Sequence, residues 1–369
     1  MRWAATQQTG ETIQEVLQTC WDFVGLHAPD FVMVSVRSPE DPVAVMSKVL
    51  AFLQVTAVRT VVCGIEETAN GHSEHSIEIS LTCALLPDVD INLHSIESMF
   101  DFRTNDACKG WIGVEPELQP VFLGFPAMAC NDVTSLFTQL DKTYPDAPKV
   151  AGRFALAFGI EHGRYERPTG MQGGVLVSFC GDIEADVLVA QGARAVGAPL
   201  VVTRCRENKI LELDGRPALR VMQAVYDTMK SEEKSLFQSQ PLCGLGIMDA
   251  RGRVGGYRIG RITGVHRDSG MFAVPHAVSN HDTVQFFIRG PSIVADELSV
   301  GFSESTLMKR TRGAIVLKSN WTHSLGPFGS RPMCTGIIDA KTAYGPIAGQ
   351  TFPLADAAVY LLFKKRDWS

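Results

Sequence analysis

The chain has 369 residues, of which 45% are hydrophobic and 20% are charged, and its formal net charge is −6. This composition excludes a disordered chain, and no apolar run approaches the ~18 residues that a bilayer-spanning helix needs. The acidic balance also argues against a nucleic-acid-binding protein, which usually presents a basic face. The length exceeds the roughly 250 to 300 residues at which one core stops growing, so two domains are predicted.

Helices and strands alternate in the first half of the predicted fold. Apolar residues recur at helical spacing between Gly10 and Val24, and Thr9 is the predicted N-cap of that helix. Asn131 or Asp132 is predicted to cap a later helix, and residues 87–117 are predicted to be rich in loops. The predicted helices span residues 10–24, 42–53 and 132–140, and the predicted strands span residues 31–36, 60–64, 77–86 and 121–125.

The periodicity changes to two after residue 175, which indicates strands. Apolar and acidic residues alternate over residues 182–189 and predict a half-exposed strand whose acidic face is solvated. Asp214 and Gly215 predict a tight turn before a helix over residues 216–230. The charged segment SEEKS at residues 231–235 is predicted to connect two lobes. Further strands are predicted at residues 242–248, 256–265, 271–274, 282–289, 313–318 and 357–363.

Together these elements predict an α/β (α+β) fold with two lobes of mixed β-sheet flanked by helices. We place the first lobe at residues 1–220 and the second at residues 221–369. No tandem repeat with a period of 20 to 50 residues is visible in the sequence.

Nine cysteines are scattered along the chain without a C-x-x-C pair, and many of them have apolar neighbours. This spacing supports neither a disulfide framework nor a zinc site, so we expect reduced thiols in the core. The first ten residues contain no apolar segment of a secretory signal. We therefore expect an intracellular protein, soluble or peripheral to a membrane, in a reducing compartment.

Motifs that carry known catalytic chemistry are absent from the sequence. It contains no G-x-S-x-G elbow, Walker loop, H-E-x-x-H or EF-hand motif. His72 and His75 offer two metal ligands, but two ligands without a third make no site, and a solvated loop is the preferred interpretation. The sequence identifies no partner for Ser178, Cys205 or His162. We therefore predict no catalytic residue, no metal and no cofactor.

Residues 190–219 read AQGARAVGAPLVVTRCRENKILELDGRPAL and combine a glycine-containing loop with a β-rich hairpin. Gly192 and Gly197 stand where a turn needs positive φ. This run resembles the centre of the FIST module, a sensory domain pair of bacterial signalling proteins and some F-box proteins, and especially its stand-alone cyanobacterial form. The residues that fit the pattern are Gln191, Gly192, Arg194, Gly197, Pro199, Val202, Thr203, Asn208, Ile210, Leu213 and Pro217.

Segments along almost the whole chain resemble the same family in order and spacing. The resemblance therefore implies a FIST-like fold for both predicted lobes. The matching segments are RWA at residues 2–4, LPDV at 86–89, LDKTYPDAPKVAG at 140–152, VQFFIR at 284–289, ADEL at 295–298 and GPIAGQTF at 345–352.

The chain departs from the family pattern at loops where a ligand pocket is expected. CGIEE at residues 63–67 replaces a glycine-rich segment, KSNW at 318–321 replaces C-x-G-R-G, and Ile337 replaces a glutamate. Bulk and charge at such positions hinder the close approach of a ligand to backbone amides. The segments that build the core thus resemble the family more closely than the loops that would hold a ligand.

The resemblance implies binding rather than turnover, because FIST modules are thought to sense small ligands such as amino acids. The departures in the loops lead us to expect a non-catalytic scaffold or interaction subunit, with protein partners in a larger complex. The likeness to the cyanobacterial form suggests a photosynthetic assembly, in the cytoplasm or the plastid stroma. The alternative is an intracellular sensor that binds a small, amino-acid-like ligand, and a second alternative is an enzyme of unknown class.

If the family's ligand site is retained, we expect it between the lobes. Polar side chains adjoin turns that contain glycine there, and the candidates are Arg194, Asn208, Arg289 and Asp339. Each candidate also has a structural interpretation. Arg194 can pair with a carboxylate, and Asn208 can close its own turn. Arg289 can cap a sheet edge, and Asp339 can form an Asx turn.

Overall fold

The structure is a computed structural model that describes residues 1–54, 56, 58–67, 76–96, 104–161, 168–170, 172–304, 310–321 and 335–366. Its strands form four sheets, three of which mix parallel and antiparallel pairs, and helices pack on the sheets, which confirms the predicted α+β class. Three of the sheets share one pairing pattern, and the fourth is inserted within the third of these. Among the described residues, no helix is both long and apolar enough to cross a membrane.

Residues 2–85 form the first sheet and its helices, which are β1 (Arg2–Gly10), α1 (Ile13–Val24), β2 (Phe31–Ser38), α2 (Pro42–Leu53), β3 (Thr60–Glu67) and β4 (Ile77–Leu85). β1 pairs antiparallel with β4, β4 pairs antiparallel with β2, and β2 pairs parallel with β3. The two helices cover the outer face of the sheet with their apolar sides. α2 begins as predicted, because Asp41 accepts N–H bonds from Val43 and Ala44.

The second sheet repeats this pattern with β5 (Val89–Ser95), α3 (Asn105–Ile112), a 3₁₀ turn (Pro116–Leu118), β6 (Val121–Pro126), α4 (Val133–Thr143), β7 (Lys149–Arg153), β8 (Leu156–Glu161) and β9 (Gly174–Gly181). β5 pairs antiparallel with β9, β9 pairs antiparallel with β6, and β6 pairs parallel with β7. β8 leaves this sheet and extends the first one beside β3. α3 and α4 cover the outer face.

The inserted sheet follows β10 (Glu184–Ala190), the first strand of the third sheet. All its described strand pairs are antiparallel, and α5 and α6 pack on one face. Its elements are β11 (Ala193–Arg206), β12 (Lys209–Leu213), β13 (Arg216–Pro217), α5 (Ala218–Thr228), α6 (Ser231–Ser239), β14 (Leu242–Met248), β15 (Val254–Arg261), β16 (Gly264–His266), β17 (Met271–Ala273) and β18 (Thr283–Arg289).

The chain then completes the third sheet with α7 (Pro291–Glu304), β19 (Gly313–Ser319), β20 (Thr335–Asp339), β21 (Thr342–Ile347), β22 (Gln350–Leu354) and β23 (Ala357–Lys364). β10 pairs antiparallel with β23, β23 pairs antiparallel with β19, and β19 pairs parallel with β20. This is the pairing of the first two sheets again. β21 pairs with β7 of the second sheet, just as β8 pairs with β3 of the first.

The inner faces of the three repeated sheets pack on one shared core. Phe31 of the first sheet packs edge-on against Phe179 of the second, with ring centroids 5.1 Å apart. Phe179 packs in turn against Phe363 of the third sheet at 5.7 Å. All three rings are completely buried, and burying a side chain of this size stabilises the fold by about 1.5–3 kcal/mol. The centre of the molecule is therefore packed with apolar side chains from all three sheets.

Strand pairing crosses residue 220 in three of the four sheets. β7 pairs with β21, β10 pairs with β23, and β11 pairs with β18. The division into lobes of residues 1–220 and 221–369 stays a prediction, and lobes cut at this point would share these three sheets.

Two predictions for residues 1–117 are wrong in detail. Thr9 lies inside β1, whose buried residues alternate from Trp3, and the N-cap of α1 is Thr12. The Thr12 hydroxyl accepts the Glu15 N–H at 3.3 Å and donates to the Glu15 carboxylate at 2.8 Å. The region predicted to be rich in loops contains β5 and α3, because Ile91 and Leu93 alternate along a strand that packs on the shared core.

The predicted connector SEEKS is instead the start of α6. Glu233 accepts the N–H of Lys230 at 3.0 Å and so caps the helix at its first turn. Phe237, four residues further on, is buried in the core of the inserted sheet. A charged run thus forms an amphipathic helix once an apolar residue anchors it.

Cysteine packing agrees with the expectation of reduced thiols. The eight described cysteines are free, and seven of them are buried. Burial raises the pKa of the Cys20 thiol to about 11 and that of Cys243 to about 12, so both are protonated at neutral pH.

His94 gives the fold a specific sensitivity to acid. Its Nε2 lies 2.8 Å from the Ser178 hydroxyl oxygen, and burial lowers the pKa of the ring to about 4. The unfolded chain binds a proton near pH 6.5, whereas the folded chain does not, so stability is lost as the pH falls from 6.5 towards 4. Wild type is expected to lose about 2 kcal/mol more than His94→Gln between pH 7 and pH 5. Urea unfolding at both pH values measures this difference, and equal losses would assign the acid sensitivity to other groups.

Candidate functional site

A cavity of about 240 Å³ lies between α4 and the turn that joins β21 to β22. On the helix side it is lined by Thr134, Thr138, Asp141 and Lys142, and on the other side by residues 349–352. Its walls come from residues that are about 210 positions apart in the chain. We call each of the three repeated sheets, together with its helices, a unit. The cavity exists only because β21 of the third unit pairs with β7 of the second.

The helical spacing of α4 explains why polar residues face the cavity. Positions 134, 138, 141 and 142 recur at the helical period on one side, while Leu136, Phe137 and Leu140 are buried on the other. Asp132 caps the helix and accepts the N–H of Ser135 at 2.9 Å. Hydrogen bonds from the Ser135 side chain and from its N–H hold the pKa of Asp132 below its usual value.

The opposite wall is a tight turn with two left-handed residues. Ala348 has φ of 52° and Gly349 has φ of 81°, as a two-residue hairpin turn requires. A Cβ at Gly349 would meet no atom within 4 Å, so the backbone there borders open space. The glycine leaves the turn uncovered beside the cavity.

The floor of the cavity is a buried ionic joint. Asp141 accepts the Thr351 N–H at 2.6 Å and the Thr351 hydroxyl at 2.9 Å. The Lys149 ammonium lies 3.4 Å from Asp141 and donates to the carbonyls of Tyr144 at 2.5 Å and Ala147 at 2.9 Å. Burial lowers the pKa of Lys149, and the Asp141 charge opposes that shift. The joint ties α4 and β7 to β22.

Lys142 differs from the residues of the joint. Its side chain is exposed, and within the part of the chain that the structure describes its ammonium group makes no hydrogen bond or ion pair. Its positive charge is therefore available at the rim of the cavity.

A second polar cluster lies where β2, β19 and β20 end. Asp339 pairs with Lys318 at 3.1 Å and with Arg37 at 3.7 Å, and Arg37 pairs with Glu78 at 3.6 Å. The cavity beside them has a volume of about 10 Å³, which is enough for one water molecule. The cluster therefore joins the first and third sheets and leaves no room for a metabolite.

A buried polar corner joins β10 to the inserted sheet. The Glu297 carboxylate on α7 accepts N–H bonds from Gln191 at 3.2 Å and from Gly192 at 2.6 Å. Arg289 donates to the Gln191 carbonyl at 2.8 Å and to Asp356 at 3.0 Å. Burial raises the pKa of Glu297, while the two N–H bonds oppose that rise. Gly192 has the positive φ that its turn was predicted to need, at 64°.

Two of the four predicted ligand-binding residues, Arg194 and Asn208, have partners within the inserted sheet and do not line the 240 Å³ cavity. The guanidinium of Arg194 is exposed and lies 3.0 Å from the Glu233 carboxylate on α6. Asn208 donates its side-chain N–H to the Val274 carbonyl at 2.9 Å and so ties the turn between β11 and β12 to the chain that follows β17. Both positions therefore have structural partners.

The other two predicted residues lie in different joints of the fold. Arg289 belongs to the corner beside β10, where its side chain is only 8% exposed. Asp339 belongs to the ion-pair cluster with Lys318 and Arg37. The structure does not bring the four residues together, and their role in ligand binding stays a prediction. The cavity is lined by residues 134–142 and 349–352, which the sequence analysis placed in different lobes.

The segment CGIEE at residues 63–67, where a ligand loop was expected, lies inside β3, and its Glu66 has a structural role there. Glu66 is buried, accepts the Ala155 N–H at 2.7 Å, and lies 3.8 Å from the Lys341 ammonium. This charge holds the first, second and third units together at one point. His72, His75 and His162 lie outside the described residues, and the described residues contain no group of three or more metal ligands.

The sequence did not predict the cavity, although segments in both of its walls resemble the family pattern. The segments at residues 140–152 and 345–352 were singled out for their resemblance, but nothing in the sequence says that they touch. No local signal marked Asp141 or Thr351, because other polar residues stand beside both of them in the sequence.

The joint under the cavity should be less sensitive to the loss of one hydrogen bond than to the loss of the Asp141 charge. Thr351→Val removes one hydroxyl bond and is expected to cost about 1 kcal/mol. Asp141→Ala leaves the buried Lys149 ammonium without its carboxylate and is expected to cost about 3–5 kcal/mol. Urea unfolding of the two variants measures both values. Equal losses would show that Asp141 and Lys149 do not act as a charge pair.

Comparison with known proteins gives one family. A family model described as the FIST N domain matches residues 30–216, which is about half of the chain. No curated protein matches this sequence. The FIST domain is known as a small-ligand sensing domain. The matched region contains α4 and the Asp141–Lys149 pair of the joint, and the chain belongs to the FIST domain family.

Proposed function

We propose that this protein is a non-catalytic sensor that binds one small polar ligand in the cavity between α4 and the β21–β22 turn. The observation that carries the proposal is that hydroxyl, amide and ammonium groups converge on this cavity above a fixed ionic floor. A pocket with a few convergent polar groups is the usual place for a small ligand.

The volume limits the size of the ligand. Pockets for drug-sized ligands enclose roughly 300–1,000 Å³, and this cavity encloses about 240 Å³. A metabolite with a handful of heavy atoms fits, whereas a nucleotide does not. This size agrees with a sensor of small molecules.

The cavity is connected to the inserted sheet through the turn that forms its wall. The guanidinium of Arg258 on β15 lies 5.6 Å from the ring centre of Phe352, which lines the cavity. Arg258 also donates to the Pro353 carbonyl at 3.2 Å. A Cβ at Gly256 would lie 2.7 Å from Ile347, so glycine allows β15 to approach the hairpin closely. A ligand that moves Phe352 is therefore expected to shift β15.

Turnover is not part of the proposal. The Ser178 hydroxyl, which contacts His94, is completely buried and has no path to a substrate. The seven buried thiols are held in their protonated form, which is a poor nucleophile. These hydroxyl and thiol groups thus belong to the packed interior of the fold.

The scaffold interpretation receives no support from the described surface. Its most exposed large apolar side chains lie on separate elements, such as Phe23 at the end of α1, Val43 at the start of α2 and Val300 on α7. A docking surface usually presents a contiguous apolar patch. Membership of a larger complex, a photosynthetic role and a plastid location stay predictions that neither the family nor the surface supports.

Filling the cavity should abolish ligand binding without unfolding the protein. Thr138 is an exposed threonine in the middle of α4, and Thr138→Trp is expected to remove the melting shifts that a metabolite library produces on wild type. Thr19→Trp is the matched control, because Thr19 is an exposed threonine in the middle of α1. Melting shifts that persist in Thr138→Trp would contradict the proposed site. So would a library that changes the melting temperature of neither the wild type nor the control.

The connection to the inserted sheet can be tested separately from binding. In Arg258→Ala, a ligand found with wild type should still bind, but its protection of the β15 amides from hydrogen exchange should be lost. Arg261→Ala is the control, since Arg261 is exposed on the same strand. Hydrogen exchange followed by mass spectrometry measures the protection, and equal protection in both variants would remove Arg258 from the signal path.

A further inference from the structure

The charges around the cavity favour an anion. Asp141 and Lys149 neutralise each other in the floor, at 3.4 Å. Lys142 is then the one charged lining residue that has no counter-charge within the described part of the chain. A cavity wall with one unpaired ammonium attracts a ligand that carries one negative charge.

Asp141 is already occupied as an acceptor. It receives the Thr351 N–H at 2.6 Å, the Thr351 hydroxyl at 2.9 Å and the Lys149 ammonium at 3.4 Å. A carboxylate offers about four lone-pair sites, and these three donors take most of them. A ligand ammonium would also have to enter beside the positive charges of Lys149 and Lys142. No other carboxylate lines the cavity among the described residues.

The remaining polar groups suit neutral oxygen atoms. Thr134 and Thr138 present hydroxyls from α4, and Gln350 presents an amide from the turn. Hydroxyls and amides both donate and accept, so they bind a hydroxyl or a carbonyl of the ligand without needing a charge. Phe352 supplies an apolar wall for a short carbon chain.

From these groups we infer that the ligand is a small monocarboxylate with a hydroxyl or oxo group and without an ammonium group. The inference rests on the proposed function and specifies its ligand. The carboxylate binds Lys142, the hydroxyl or oxo oxygen binds the Thr134 and Thr138 hydroxyls, and the carbon chain packs on Phe352. An amino acid of the same size binds more weakly, because its ammonium finds no free carboxylate. A phosphate dianion also binds more weakly, because one lysine does not balance two charges.

Matched pairs of ligands test the inference directly. L-lactate and L-alanine have the same size and differ by a hydroxyl in place of an ammonium, as do L-2-hydroxyisovalerate and L-valine. Calorimetric titration of the wild-type chain at constant pH and ionic strength is expected to give at least ~10-fold tighter binding for each hydroxy acid, as one charge-assisted contact provides. Inorganic phosphate serves as the comparison anion.

Variants identify the anchoring charge. Lys142→Met keeps the length of the side chain and is expected to weaken hydroxy-acid binding by at least ~10-fold, while Lys142→Arg restores much of it. Lys48→Met on α2 is the control, since Lys48 is an exposed lysine on the corresponding helix of the first unit. Equal weakening in Lys142→Met and Lys48→Met would overturn the anchoring role.

The results of these titrations distinguish failure of the inferred ligand class from failure of the proposed sensor function. Tighter binding of amino acids or of phosphate, lost in Thr138→Trp, would overturn the ligand class and leave the sensor standing. Binding of an unrelated library compound in the same cavity, with no binding of hydroxy acids, would do the same. If neither these acids nor any library compound binds, both the ligand class and the proposed function fail.

Discussion

The packing of Phe31, Phe179 and Phe363 is the contact on which the rest of the molecule depends. Each ring comes from a different sheet, and each is completely buried. A sheet with helices on one face must still bury its other face, and here each inner face is covered by the other two. The three repeated units are thus parts of one core, which explains why strands from both predicted lobes share sheets.

Filling the centre with apolar side chains restricts where a ligand can bind. The polar cavity at the ends of β2 and β20 has room for one water molecule, and the charges there are paired with each other. The larger cavity lies instead at the periphery, where a hairpin of one unit crosses onto the sheet of the next. The β21–β22 hairpin is such a crossing, and its turn closes the larger cavity against α4.

Local sequence patterns predicted most of the helices and strands, but they could not predict the contacts between distant segments. α2 has the predicted bounds because Asp41 and Pro42 define its start and the apolar residues keep the helical period. SEEKS was misjudged because its charges hide the helix that the apolar residues Leu236 and Phe237 anchor just after it. The repeated pairing was invisible because the repeats share strand order rather than residues, and an inserted sheet interrupts the third. Of the candidate site, the sequence supplied both walls, but only the pairing of β21 with β7 brings Asp141 to Thr351.

The inserted sheet enters and leaves the third unit at neighbouring points. Ala193 pairs with Arg289 across β11 and β18, and Arg289 also binds the Gln191 carbonyl at 2.8 Å. Two chain ends that lie side by side can be joined by a short loop without disturbing the strands around them. The fold therefore separates a frame of three repeated units from an inserted module. An engineer can exchange residues 193–289 for another domain and leave the frame of three sheets in place.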